Sequence, residues 1–438
     1  MPSWRRTYWV VWTANLITAV GMMSFLPFFP SLLSELGLED AGAVSLWAGA
    51  IFGAAPLAAT FVSPIWGALG DRLGRKVMVV RAMLAIAVFV GAMRFAETPL
   101  QLFLLRLGQG FFSGFIPPSI TLVSVQAPQE RQGRIVADLQ TALPLGAILG
   151  PFLGGLIAAT SGHRAVFTFV GIAGLASALL VVFFAHEDPA SRRKSPAAPT
   201  LRGTLAGLRA DIVEVWSNRS VRAVVVLLFF LQFSLGSTNP VLEIYVHELL
   251  AGREVRALVM ATSLLFGGMA LANLVAIPLW GRYGDRTGHA RAFTLAATGV
   301  VVSLFLQAAL PAYALLFAGR LLMGVAMAGT GPLAFGVAAA ETTVDKRGGA
   351  FGVVFSSRTL AVAVGGMAGG ALATVVGVRG LLLLSGCVVG AALLVLRPRR
   401  RPDAELAGPV GVEPVSEGRT GAPPLRPPET PRRRAVRR

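Results

Sequence analysis

Gly67-Ala68-Leu69-Gly70-Asp71-Arg72-Leu73-Gly74-Arg75-Lys76 separates two apolar runs, roughly residues 44–66 and 77–95. Each run is long enough to cross a ~30 Å hydrocarbon layer as a helix. So short a connection makes the two helices antiparallel neighbours. Gly67 and Gly74 are expected to let the backbone turn sharply and the helix ends approach. Asp71 is the only acid among Arg72, Arg75 and Lys76, so a partner for it is expected. The chain then repeats the device. Trp280-Gly281-Arg282-Tyr283-Gly284-Asp285-Arg286-Thr287-Gly288 echoes Trp66 to Gly74, and the two aspartates lie 214 residues apart (285 − 71). Such a repeat in an apolar chain predicts two related membrane halves.

Composition agrees. The 438 residues are 54% hydrophobic and only 14% charged, with a mean hydropathy of +0.68. A soluble domain carries about a quarter charged residues, so a globular enzyme with a single anchor is excluded. The net charge is +17, but the cations fall between apolar spans or in the tail. That pattern suits anionic lipid head groups, and no nucleic-acid partner is expected. Cys387 is the one cysteine, so no internal disulfide can form. His163, His186, His247 and His289 fall in loops or at span ends without metal-ligand spacing. No GxxxxGK[ST] phosphate loop occurs. A metalloenzyme and an ATP-driven pump are therefore disfavoured, and no metal or cofactor is expected. Arg5 and Arg6 before an apolar run mimic a secretion signal. The run is too long for one and lacks a small-residue cleavage site, so a retained first helix is expected.

The fold class read from these runs is an all-α polytopic membrane protein of twelve transmembrane helices in two pseudo-symmetric six-helix bundles. The spans fall near 8–30, 44–66, 77–95, 100–122, 134–158, 165–185, 221–245, 257–280, 291–310, 313–337, 349–374 and 380–396. The expected partition is 1–186 for the first bundle, 187–220 for a cytoplasmic linker, 221–397 for the second bundle and 398–438 for a tail. The linker holds an amphipathic stretch at Leu201–Trp216. The tail is Pro-, Gly- and Arg-rich and cannot bury a core. Arg5, Arg6, Arg72, Arg75, Lys76, Arg131, Arg134, Arg192, Arg193, Lys194, Arg282, Arg286, Lys346 and Arg347 share one side. The positive-inside rule makes that side cytoplasmic, with both termini.

Two further constellations carry the mechanism. On the fourth span, Arg106 sits inside an apolar helix, at a cost of ~2.5 kcal/mol or more without a cavity or partner. Gln109 is one turn on, so both polar heads share a face, and Gly110 removes bulk beside them. Arg320 and Gly324 repeat Arg106 and Gly110 at the 214-residue shift. Arg106 either braces a neighbouring helix or lines the cavity beside a proton carrier. On the fifth span, Gly146, Gly150 and Gly154 recur every four residues, with Pro151 and Gly155 between and beside them. Such spacing permits close helix contact, and the proline is expected to kink the helix. Gly365, Gly366, Gly369 and Gly370 are the counterpart, without the proline.

Gly67 to Lys76 resembles the loop signature of the major facilitator superfamily between its second and third helices. Arg106-x-x-Gln109-Gly110 resembles its fourth-helix motif, and Gly146 to Gly155 its fifth-helix antiporter motif. Together, over roughly residues 8–397, they resemble the twelve-helix drug:proton antiporter family, and Asn239 to Val246 is similar to the bacterial MdtG-type multidrug exporters. The resemblance implies two halves rocking about a midplane cavity. Gating would then fall to Gly67, Asp71, Arg72, Gly74, Arg75 and Lys76, to Glu130 as partner of Arg75, and to Asp285 and Arg286 in the repeat. Proton coupling would fall to Arg106, Gln109 and Gly110.

The first span, Tyr8 to Pro30, holds no Asp or Glu, although many related exporters place their proton carrier there. Asn15 is its main polar group. Glu243 on the seventh span and Asp138 on the fifth are the carrier candidates, against a solvated acid and an ion pair with Arg134 respectively. Asn15, Met22, Phe25, Phe112 and Gln232 are the cavity candidates, since Met and Phe walls repack around varied apolar ligands. The expected function is a monomeric proton-coupled exporter of amphipathic small molecules in the bacterial cytoplasmic membrane, in contact with its lipids. A dedicated metabolite exporter and a non-transporting sensor on the same fold are the alternatives.

Overall fold

The first apolar run is interrupted by prolines, and the chain bends accordingly. In the computed structural model, α1 (Ser3–Phe25) passes through a 3-10 turn at Leu26–Phe28 into α2 (Phe29–Glu35). Pro27 and Pro30 each sit in the first turn of a new segment, where the missing N–H costs nothing. The structure describes residues 3–187, 201–309, 311–343 and 346–396. Within these, the side chains of 3, 64, 67, 68, 71, 72, 129, 130, 133 and 201–208 are outside the description. The described residues are helices and their connections, with no strand.

The second run is α3 (Ala41–Leu73), capped by the Asp40 carboxylate, which accepts the Ala43 N–H at 2.6 Å. The third is α4 (Arg75–Ala85), continued by a π turn at Ile86–Val90. The fourth is broken. α5 (Pro99–Phe112) opens on a capping box made by Thr98 and Gln101. It stops at Ser113, and α6 (Ile116–Ser124) resumes after Gly114, which takes φ +101°. α7 (Gln129–Gln140) and α8 (Ala142–Ser161) form the fifth span and α9 (His163–Phe184) the sixth. α10 (Leu201–Ser217) is the amphipathic stretch of the linker.

The second half runs through α11 (Arg219–Thr238), a 3-10 turn at Asn239–Val241 and α12 (Leu242–Leu249). α13 (Val255–Thr287), α14 (His289–Ala309) and α15 (Tyr313–Glu341) follow. α16 (Arg347–Val395) is two helices meeting at Gly377, where φ is +69°. Ten described helices are by themselves long and apolar enough to cross a membrane. The broken fourth span and the second leg of α16 complete the twelve. The tail from 398 and residues 188–200 of the linker lie outside the described residues.

One expectation is corrected. Gly67 to Lys76 is not a loop: α3 runs on through Leu73, and the reversal is Gly74 alone, at φ +103°. Ala, Leu and Arg carry the helix across Gly67 and Gly70, so nothing stops it until a residue that can leave the right-handed region. Gly288 ends α13 in the same way, at φ +89°. The N–H groups of Gly74 and Gly288 return to Gly70 and Gly284 carbonyls at 3.1 and 2.9 Å.

Each half has its own apolar core. One gathers Phe25, Phe29, Met83, Leu102 and Phe167; the other gathers Leu228, Phe293, Leu304, Met323 and Leu382. The halves meet through glycines. Gly49 and Gly53 of α3 lie against Gly366, Gly370 and Ala363 of α16, and Gly155 of α8 lies against Ser263 of α13. All of these are in the half of the bundle opposite Ser3, here termed the far half; the other is the basic end.

Candidate functional site

Helix α5 carries Arg106 into the first half's core, where it is 4% exposed. Its Nε donates to the Ile51 carbonyl of α3 at 3.2 Å, and one Nη donates to Gln109 Oε1. The guanidinium lies 5.5 Å from the Phe25 ring centre and 5.8 Å from that of Phe29. Gly110 follows because no side chain fits: a Cβ there would stand 2.2 Å from the Ala55 carbonyl oxygen. Charge-assisted bonds and the two ring faces thus compensate a cation withdrawn from water.

Helix α15 repeats the arrangement. Arg320 is fully buried, and Gly324 meets the Met269 carbonyl as Gly110 meets Ala55, with 269 − 55 again 214. The partners differ. Arg320 donates to Asn239 Oδ1 at 2.7 Å, where the first half has Phe25, and to Met323 Sδ at 3.6 Å, where it has Gln109. Trp66 and Trp280 also act alike: each indole N–H donates at 2.7 Å, to the Phe111 and Val325 carbonyls.

Glu243 is the buried carboxyl at the junction of the halves, with 0% exposure. Ser31 of α2 gives it two hydrogen bonds, from its N–H at 3.1 Å and its hydroxyl at 2.7 Å. His247 Nε2 stands 4.0 Å away. In the same far region, His163 Nδ1 and Glu35 Oε1 are 2.6 Å apart. Glu243 is therefore not the solvated acid weighed above. Asp138 is at the basic end, 3.8 Å from Arg134 Nε, and its carboxylate accepts the Tyr8 hydroxyl at 3.2 Å. Glu243 and Asp138 thus occupy opposite ends of the bundle.

The glycines of α8 serve two contacts. Gly146, Gly150 and Gly154 lie on Ala19, Met23 and Ser24 of α1, whereas Gly155, on another face, meets Ser263 of the other half. Pro151 sits inside a continuous α8.

At the basic end, the Arg75 and Lys76 N–H groups donate to the Glu187 carboxylate at 2.7 and 3.3 Å, and Lys76 Nζ donates to the Val182 carbonyl at 2.8 Å. A carboxylate at the start of α4 is favoured by the helix dipole. The Gly67, Asp71, Arg72 and Glu130 side-chain positions lie outside the described residues. Asp285 pairs within its own half, 3.8 Å from His289, and Arg286 is in the last turn of α13.

The cavity candidates separate. Asn15 is buried and accepts the Ser119 hydroxyl at 3.0 Å. Gln232 Oε1 is buried without a partner among the described residues, as is Thr18 Oγ1 at the equivalent place in the first half. Met22 is half-buried. Phe25 belongs to the first core, whereas Phe112 stacks on Phe89 at 5.9 Å along a lateral groove with Val80 and Leu84. Phe25 and Phe112 are not brought together.

Sequence reading missed Ser31, Glu35, Glu187, Asn239 and Arg81. Arg81 spans the broken fourth helix: it donates to the Ser113 carbonyl at 3.1 Å and lies 3.7 Å from the Trp66 ring centre. An arginine inside an apolar run was the available signal. The others are short polar groups or span-end acids, which no pattern marks.

Two repeated helical halves, glycine-packed and holding buried arginines, define a multi-pass membrane protein with the architecture of a secondary transporter. The Major Facilitator Superfamily profile matches residues 11–262 and, overlapping, 226–430, and the chain belongs to that superfamily. It is 30% identical to the multi-drug resistance efflux pump PmrA of Streptococcus pneumoniae over 85% of this chain and 90% of that one. The multidrug resistance protein MdtG of Proteus mirabilis is 30% identical over 65% of this chain and 69% of its own. Among solved structures, the nucleoside transporter NupG superposes with a TM-score of 0.71 at 16% identity, over 89% of this chain and 98% of that one. An inward-facing bacterial homologue of the lysosomal transporter Spinster gives 0.71 at 13% identity, over 92% and 99%. These low identities speak for the fold alone.

Proposed function

We propose that this protein exports amphipathic organic compounds from the cytoplasm in exchange for protons, by alternating access, and performs no enzymatic step. The efflux relatives support the substrate class. The observation that carries the coupling is Glu243, buried between the halves on Ser31. Its carboxyl leaves that contact only when the far half opens. In that state it takes a proton from outside. It gives the proton up once the far half has closed again and the basic end is open to the cytoplasm. A substrate leaves in the opposite sense, and the halves alternate as a two-state element.

The proposed moving bodies are residues 1–186 and 221–397, linked through 187–220, in a monomer of the bacterial cytoplasmic membrane with both termini inside. Asp71, Arg72, Arg75 and Glu130, with Asp285 and Arg286, would form the cytoplasmic gate. Arg106, Gln109 and Gly110 would brace the first half while it rocks.

The test is purified protein in liposomes with an imposed pH gradient and a panel of lipophilic drugs. Drug-dependent proton flux that disappears in Glu243→Gln supports the reading. Flux that persists in that variant removes Glu243 from the coupling, and absence of flux with every drug removes drug:proton exchange.

A further inference from the structure

Arg358 sits eleven residues into α16, in the middle of an apolar span. Away from the span ends the described residues hold three other arginines, and each has a partner. Arg81 bonds the Ser113 carbonyl, Arg106 the Ile51 carbonyl and Gln109, and Arg320 Asn239. Arg358 makes no hydrogen bond or ion pair among the described residues, and no carboxylate acts on it. An uncompensated cation at this depth is costly unless it faces water.

Arg358 is exposed, although α15 lies against its guanidinium. A mid-span cation exposed in this way fits an aqueous crevice between helices rather than a lipid-facing surface.

The walls can be named. Val362, Gly365 and Gly369 of α16 pack on Gly236, Phe233 and Ser237 of α11. Arg358 is one turn before Val362 and continues the same stripe towards the basic end. On α11, Phe229 stacks on Phe233 with ring centres 6.3 Å apart, one turn nearer the basic end. The third wall is α15, where Gly331 presents no side chain; a Cβ there would stand 3.4 Å from Arg358 Nη1. The guanidinium thus lies against a helix that offers no side chain at Gly331, with aromatic rings on the neighbouring α11. In the register that matches Gly369 and Gly370 to Gly154 and Gly155, the first half has Leu143 at the equivalent position, so the cation is not a relic of the repeat.

We propose that Arg358 is an anion subsite of the transport cavity, and that the protein takes amphipathic compounds with an aromatic body and an anionic head, such as a carboxylate. A guanidinium binds a carboxylate through two parallel bonds, and the rings hold the apolar body. This rests on the export reading and narrows its substrate class.

The experiment uses three fluorescent probes with one body: 1-pyrenebutyrate, 1-pyrenebutanol and (4-(1-pyrenyl)butyl)trimethylammonium. Equilibrium binding to purified protein in detergent is measured for the wild type, Arg358→Gln and Arg358→Lys. Thermal unfolding checks that each variant is folded. Transport of the same probes is then followed in liposomes. The expected result is a ~10-fold or greater loss of 1-pyrenebutyrate affinity in Arg358→Gln, partial recovery in Arg358→Lys, and unchanged binding of the other two. Equal losses for all three probes, or no loss for 1-pyrenebutyrate, overturn the subsite. So does a wild type that binds the carboxylate no better than the alcohol. Arg358-dependent binding without transport of any probe keeps the subsite and counts against the export reading.

Discussion

Ser31 gives both of its donors to Glu243 across the junction of the two halves, the N–H at 3.1 Å and the hydroxyl at 2.7 Å. The two residues are 212 positions apart, so only the packing of α2 against α12 brings them together. The contact belongs to the state in which the far half is closed. It makes the carboxyl at this junction sensitive to whether the halves are together.

Ser31→Ala removes the hydroxyl bond and leaves the N–H. A hydrogen bond to a charged group contributes about 1.5–3 kcal/mol, so far-half closure should weaken by that order. Double-electron resonance distances between labels on α2 and α12 should shift towards the open population. An unchanged distribution would make the serine bond irrelevant to closure.

Arg106→Ala leaves the Ile51 carbonyl and Gln109 Oε1 without their donor inside an apolar core. Each buried group left unpaired costs ~1–3 kcal/mol. The expected outcome is a folded protein of lower melting temperature with export lost. Arg106→Lys can reach one acceptor but not both and should recover part of the stability. Full export by Arg106→Ala would show that the rocking half does not need this brace.

Gly154→Ala places a Cβ 1.9 Å from the Ser24 carbonyl oxygen, which is backbone and cannot yield. Loss of folded protein is expected, read as monodisperse yield after detergent extraction. Gly352→Ala is the control, since nothing lies within 4 Å of its Cβ position inside α16. It should be neutral or stabilise by roughly 0.5–1 kcal/mol through helix propensity.

Gly74→Ala forces a side chain into φ +103°, a region that only glycine occupies freely. The cost is about 1–3 kcal/mol, and Gly288→Ala should match it because that turn is the same, at φ +89°. Thermal melts of both variants check this. A harmless Gly74→Ala would mean that α3 and α4 can reverse in another way.

The repeat was readable residue by residue because the physics that sets it is local. Trp66 and Trp280 donate to equivalent carbonyls, Gly110 and Gly324 meet equivalent ones, and Gly74 and Gly288 turn alike. Each needs a particular residue type at a particular place in the helix, and a 214-residue shift exposes that need. What defeated the same reading was partnership. Arg106 and Arg320 look identical in sequence, yet one is held by Ile51, Gln109 and two rings and the other by Asn239 and Met323. Phe25 and Phe112 both looked like cavity wall, but on a helix apolar all round no period separates core from groove.

By itself, then, the amino-acid sequence determined that this is a two-fold repeated, twelve-span membrane protein of the major facilitator kind. Hydrocarbon thickness sets span length, and glycine and proline set where spans end. Only the tertiary structure decided which buried polar groups meet. It seats Glu243 on Ser31, Gly155 on Ser263 and Arg81 on the break at Ser113, and it leaves Arg358 exposed. Those pairings join residues from different spans, and their geometry depends on how closely glycines let the helices approach.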